Sequence, residues 1–209
     1  LGDAGHPGSY HLPARVRVVT GADSPEIVRD GVPPPELAER FVAAARELEA
    51  EGAVMLTSTC GFLVSMQERI AQAVAIPVLL SGLSLVPLAR ALTGNRPVGV
   101  LTASAASLGP RSLAAAGTAP DEVRIAGLDG FAEFASVFLR PRDEQAGSFD
   151  PARMGALVVE TGRALTARHP DIGAIVLECG NLPPYGAALR RALKRPVLGI
   201  LDGARMLAG

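Results

Sequence analysis

The stretch "GAVMLTSTCGF", which begins at Gly52, is echoed by "GAIVLECGN", which begins at Gly173. Seventeen residues after Cys60 comes Pro77 in "IPVLL", and seventeen after Cys179 comes Pro196 in "RPVLGI". The first copy carries two extra residues ahead of its cysteine. Further upstream, "VRVVTG" at Val16 and "VRIAGL" at Val123 hold matching places, each followed by a helical stretch before the cysteine run. A pattern shared over strand, turn, helix and strand marks a duplicated unit, and it restricts the chain to two similar halves.

The elements within each half name the fold class. Short β-branched runs at Val16, Ala53, Pro77, Val98, Val123, Ala174 and Pro196 alternate with Ala-, Leu- and Arg-rich stretches of helical period. Residues 35–51 and 151–168 read as amphipathic helices, each opening on proline, with Asp150 as a cap for the second. Uninterrupted apolar strands alternating with helices predict an α/β protein with parallel sheets. The repeat predicts two pseudo-symmetric lobes, residues 1–97 with Cys60 and residues 98–201 with Cys179, with the active site in the cleft between them. Residues 202–209 are expected to pack back on the first lobe. The second half opens on the strand "VGVLT", so the first half should have a strand before "GDAGHPGSYHLPA", upstream of Leu1. Residues 138–149 have no counterpart in the first half and read as a mobile surface loop.

With 209 residues, 48% of them hydrophobic, the chain can bury a sizeable core. A net charge of −1 offers no electrostatic reason to expect nucleic acid or an anionic membrane as partner. An uncharged run over residues 71–89 is interrupted by Pro77, Gly82 and Pro87. It reads as helix end, strand and helix start rather than as a membrane span. Two cysteines this far apart suggest reduced thiols and a cytoplasmic protein, not a disulfide framework.

In open parallel sheets ligands bind at the carboxyl ends of the strands, where both cysteines are expected. Helices predicted to start near Phe62 and near Pro183 would lower the thiol pKa from about 8.5 toward roughly 3.5–7.5. The backbone amides of Gly61, Phe62, Gly180 and Asn181 would cradle a carboxylate, with hydroxyls of Ser58 and Thr59 as further donors. Opposed thiols suit a reaction in which one takes a proton from carbon and the other delivers one to the opposite face. A buried free cysteine is otherwise an ordinary small hydrophobe; the repeat is what sets this pair apart.

"TSTCGFL", "VLTASAASL" and "IVLECGNLPPY" together resemble the aspartate/glutamate/hydantoin racemase superfamily of cofactor-independent two-cysteine enzymes. The opening "GDAGHPGSY" resembles the loop after the first strand in one branch of it. The resemblance implies two Rossmann-like lobes, often a homodimer, with Cys60 and Cys179 as the catalytic acid/base pair. It implies racemisation or epimerisation of a small carboxylate, amino-acid-like or hydantoin-like, without pyridoxal phosphate or any other cofactor. Two relatives of that reaction are open on the same fold: cis–trans isomerisation and decarboxylation of a dicarboxylate. A non-catalytic protein that binds a small acid is the third reading. Gly180 stands where relatives commonly have threonine, and Gly61-Phe62 where glutamate racemases have Asn-Thr.

Other motifs point elsewhere or nowhere. His6 and Asp3 lie in the opening loop and are candidates to reach the cleft. Ser104 is placed to touch substrate or to cap a helix. Glu178, just before Cys179, reads either as a residue that orients the neighbouring loop or as a solvated charge at a strand end. The lone lysine, Lys194, precedes the last strand at the end away from the cysteines, which argues against a Schiff-base cofactor. The histidine spacing offers no structural zinc site, and no phosphate-binding glycine motif follows a strand.

Overall fold

The computed structural model describes residues 2–208. In chain order it contains α1 (Ser24–Ile27), α2 (Pro35–Ala50), β1 (Leu56–Thr57), α3 (Gln67–Ala71), β2 (Val78–Leu79) and α4 (Val86–Leu92). There follow β3 (Val98–Thr102), α5 (Pro110–Ala115), β4 (Val123–Gly127), α6 (Ala132–Phe138) and α7 (Pro151–Arg168). The chain closes with β5 (Ala174–Leu177), α8 (Gly186–Leu193), β6 (Val197–Leu198) and α9 (Ile200–Leu207). This is an α/β fold with parallel pairing throughout. No helix among the described residues is long and apolar enough to cross a membrane.

The strands form two sheets: β1-β2, and a four-stranded sheet in the order β4-β3-β5-β6. Every residue of β3 and β5 is buried, as continuous apolar runs in a covered parallel sheet require. Helix α7 packs on β3 and β4, α8 on β6, and α4 on β3 and β5. Asp150 caps α7 by accepting from the N–H groups of Ala152 (2.9 Å) and Arg153 (3.4 Å). Helix α9 lies against β2 and the turn after it, with Ile200 and Leu79 in one apolar cluster.

The register of the two sheets bears directly on the repeat. Leu56, four residues before Cys60, pairs with Val78. Ile175, four residues before Cys179, pairs with Val197. The halves therefore align on the cysteines, and the two extra residues of the first copy fall ahead of its strand. The run from Ala53 accordingly yields a strand only from Leu56 onward, and Val54 is exposed.

Two sequence expectations differ from the fold. The Val16 run forms no strand, and Val16 and Val18 are exposed. A strand needs a ladder partner, and beside β1, where β3 stands beside β5 in the second sheet, there is a cavity of about 500 Å³. That cavity is lined both by residues 15–19 and by residues 53–57. The stretch 138–149, expected to be a surface loop, is exposed along much of its length but is tethered. The Ser24 hydroxyl donates to the Phe138 carbonyl (2.7 Å), and the Phe149 ring meets Phe138 edge-on at 5.8 Å.

Candidate functional site

Cys60 ends the segment after β1 and caps a 3₁₀ turn over Gly61–Met66. Cys179 lies two residues after β5, with a 3₁₀ turn over Pro183–Tyr185 and then α8 beyond it. The two cysteine turns meet back to back through their glycines. A Cβ on Gly61 would fall closer than 3.0 Å to the carbonyl oxygen and Oε1 of Glu178, the residue before Cys179. A Cβ on Gly180 would fall just as close to the carbonyl oxygen of Thr59, the residue before Cys60. Each glycine thus admits the backbone that precedes the opposite cysteine. This close approach of the two turns requires a residue without a side chain after each thiol.

Both thiols line one cavity of about 160 Å³. Its walls are Ile27 and Val28 at the end of α1, Phe62, and Phe138 and Leu139 at the end of α6. Thr59, Asn181 and Ser24 bring polar side chains, and Glu178 brings a carboxyl. Cys179 is buried and Cys60 is half-buried.

The thiols differ from the expectation of lowered pKa. Burial, then the nearby Glu178 carboxyl, pushes Cys60 up to about 12, and the same two causes hold Cys179 well above the ordinary thiol value. The elements beyond them begin as short 3₁₀ turns, whose few aligned dipoles do not offset desolvation. Opposing the rise, the N–H of Phe62 is directed at the Cys60 sulfur and that of Asn181 at the Cys179 sulfur. The Asn181 side-chain amide also reaches Cys179 Sγ at 3.6 Å. Two of the four amides expected to cradle a carboxylate are therefore spent on sulfur.

The remaining expected residues divide. Thr59, Phe62 and Asn181 line the cavity with the thiols. Ser58 is buried and braces the turn, its hydroxyl reaching the carbonyls of Leu80 (2.6 Å) and Cys60 (2.7 Å). Ser104 is tied to Ser107 Oγ (3.0 Å) and Asp129 Oδ2 (3.2 Å), away from the cavity. His6 is exposed and accepts at Nδ1 from the Gly8 N–H (3.0 Å), capping a local turn. Its loop nevertheless reaches the seam. The N–H of Ala4 donates to the Gly180 carbonyl (2.8 Å), and the Tyr10 hydroxyl joins the Ala4 carbonyl (2.9 Å) and Thr57 Oγ1 (3.0 Å).

Glu178 departs furthest from its sequence reading. It is 1% exposed, not solvated. Oε2 accepts from Thr102 Oγ1 (2.8 Å) and the Ala103 N–H (3.4 Å), while Oε1 is buried without a hydrogen-bond partner. Burial raises its pKa from 4.5 to about 7, against the lowering effect of those two donors. The signal in the sequence is an acidic residue set directly on a strand buried along its whole length.

A stability test follows. Below pH 4.5 the carboxyl is protonated in folded and unfolded chains alike. Between 4.5 and 7 the unfolded chain ionises first, so the folded state holds the extra proton and stability falls as pH rises. The loss over that interval is about 3 kcal/mol at 1.36 kcal/mol per pH unit. Denaturant unfolding across pH 4–8 should show this decline in the wild type and a flatter profile in Glu178→Gln. Equal slopes in the two proteins would remove Glu178 as its source.

Comparison with known proteins gives the family of the chain. The chain belongs to the Asp/Glu/Hydantoin racemase family, whose model matches residues 13–208. A dimethylsulfoniopropionate lyase of Durusdinium sp. clade D is 32% identical over 213 residues, which cover 97% of this chain and 67% of that protein. Dimethylsulfoniopropionate lyase 5 of Emiliania huxleyi is 33% identical over 207 residues, covering 94% of this chain and 40% of that protein. The chain thus spans from under half to two thirds of the length of these relatives. Among solved structures, arylmalonate decarboxylase superimposes with a TM-score of 0.53 at 20% identity, covering 84% of this chain and 77% of that one. Allantoin racemase from Klebsiella pneumoniae gives a TM-score of 0.50 at 22% identity, with 86% and 71% covered. At these identities the structural matches speak to the fold.

Proposed function

We propose that Cys60 and Cys179 exchange the proton on the carbon alpha to a small carboxylate, and that this pair racemises or epimerises its substrate. The observation that carries the reading is the shared cavity with a thiol from each half of the repeat on its wall. Residues 1–97 and 98–201 then act as two lobes with the substrate at their junction. One sulfur, as thiolate, takes the proton, the electron pair passes into the carboxylate, and the other thiol returns a proton from the far side. The product is the mirror configuration, and the protonation states of the two sulfurs are exchanged. A cavity of about 160 Å³ is half the lower bound of roughly 300 Å³ for drug-sized ligands, which favours a compact acid.

A second reading has its own support. The curated relatives are dimethylsulfoniopropionate lyases over nearly the whole chain, and Phe62 and Phe138 flank a cavity with a buried carboxyl, a setting suited to a methylated cation. There a thiolate would take the same α-proton, a carbon–carbon double bond would form, and the bond from Cβ to sulfur would break with its electrons leaving on a neutral sulfide. One experiment separates the two. Candidate acids are incubated with the protein in D₂O and followed by NMR and chiral analysis. Deuterium at Cα with inversion is the expected result. Release of a sulfide and an unsaturated acid from a sulfoniopropionate, without inversion of any amino acid, would favour the second reading over the first.

A further inference from the structure

We propose that Glu178 is the proton store of the thiol site: its carboxylate and the neighbouring cysteines share one proton, so that a thiolate appears only as the carboxylate takes that proton up. This rests on the reading of Cys60 and Cys179 as an acid/base pair. In the step, the S–H bond breaks, its electron pair stays on sulfur, and the proton forms an O–H bond at Oε1. The site carries one negative charge before and after.

Geometry places the carboxyl for this. Glu178 stands between β5 and Cys179, and its Oε1 lies against Gly61, beside Cys60, so one group borders both cysteine turns. Oε2 is held by Thr102 and Ala103 from the end of β3, which leaves Oε1 as the oxygen free to gain a proton. A buried carboxylate oxygen without a donor is costly, and a proton relieves that cost. Among the residues lining the cavity, the titratable groups are Cys60, Cys179 and Glu178. Helices α1 and α6 contribute Ser24, Ile27, Val28 and Phe138, and β3 leads into Ala103.

The electrostatics couple the carboxyl to both thiols. A thiol at about 12 that lost its proton to water would be ionised to about one part in 10⁵ at pH 7. The Glu178 charge is itself a cause of that rise, for both cysteines. Moving the proton onto Glu178 removes the opposing charge at the moment the thiolate appears. The negative charge therefore resides on the carboxylate or on a sulfur, and Glu178 acts through the thiols rather than on substrate.

The test reads the thiols alone. Alkylation of Cys60 and Cys179 by iodoacetamide is followed by peptide mass spectrometry from pH 5 to 10, with no substrate present. Below pH 7 the wild type and Glu178→Gln should react alike, each about tenfold faster per pH unit. Above pH 7 the wild type should flatten, because its proton is already shared, while Glu178→Gln continues to climb. At pH 9 the variant should be about 100-fold faster. Parallel profiles without a bend would overturn the proposal. Thr102→Val, which removes one donor to the carboxylate, should shift the bend to higher pH; an unshifted bend would equally count against it. A bend without α-proton exchange in D₂O would retain Glu178 as the store and retire the reaction. Exchange without a bend would do the reverse.

Discussion

Replacing Gly61 with alanine is expected to cost the folded state roughly 4 kcal/mol, at the upper end of single-substitution effects. The new methyl would meet the Glu178 carbonyl and Oε1, and Gly180→Ala would meet the Thr59 carbonyl and the Ala4 methyl. These partners are mainly backbone, so no rotamer change relieves the overlap. The turns must separate, and separation breaks the hydrogen bond from Ala4 to Gly180 and lets water reach Cys179 and Glu178. Gly130 has open space around it and serves as the control, with an expected change within about 0.5 kcal/mol. Urea denaturation of the three variants measures the contrast. A loss at Gly61 as small as that at Gly130 would mean the seam between the turns opens freely.

The second large effect is on chemistry. Cys60→Ser and Cys179→Ser should each lower racemisation by about 10³-fold, within the 10²–10⁴ range for loss of a positioned acid or base. Serine keeps the shape and hydrogen bonding of the side chain but is far harder to ionise, so folding should be unchanged. The two variants should also differ from each other. Each retains one thiol, so each should exchange deuterium slowly into one enantiomer and not the other. Full turnover in either variant would remove the two-base mechanism, whereas equal losses without enantiomer preference would assign both thiols to a single step.

Much of this site was legible in the sequence because its signals are local. Apolar runs ending in cysteine placed both thiols at strand ends, and the spacing to Pro77 and Pro196 anticipated a register that repeats residue for residue: Leu56 with Val78, Ile175 with Val197. The helix over residues 151–168 and its Asp150 cap were readable because proline and aspartate act within one turn. What the reading missed comes from contacts between distant segments. Ile27, Val28, Phe138 and Leu139 wall the cavity from stretches with no motif. Ser58, read as a substrate donor, is engaged by a carbonyl that spacing does not disclose, and Ser104, read as a substrate contact or a cap, accepts from the Ser107 N–H in a local turn. The Val16 run has the composition of a strand but lacks a ladder partner.

From the sequence alone came the family and the correspondence of the two cysteine turns, because periodicity, turn chemistry and motif spacing belong to a few adjacent residues. The tertiary structure alone decided the upward pKa shift of those thiols, the packing task of Gly61 and Gly180, and the burial of Glu178. Desolvation and Coulomb interaction depend on which atoms lie within a few ångströms: for Cys60, Gly61 and Gly180 those atoms belong to the opposite half of the chain, and for Glu178 they include the end of β3.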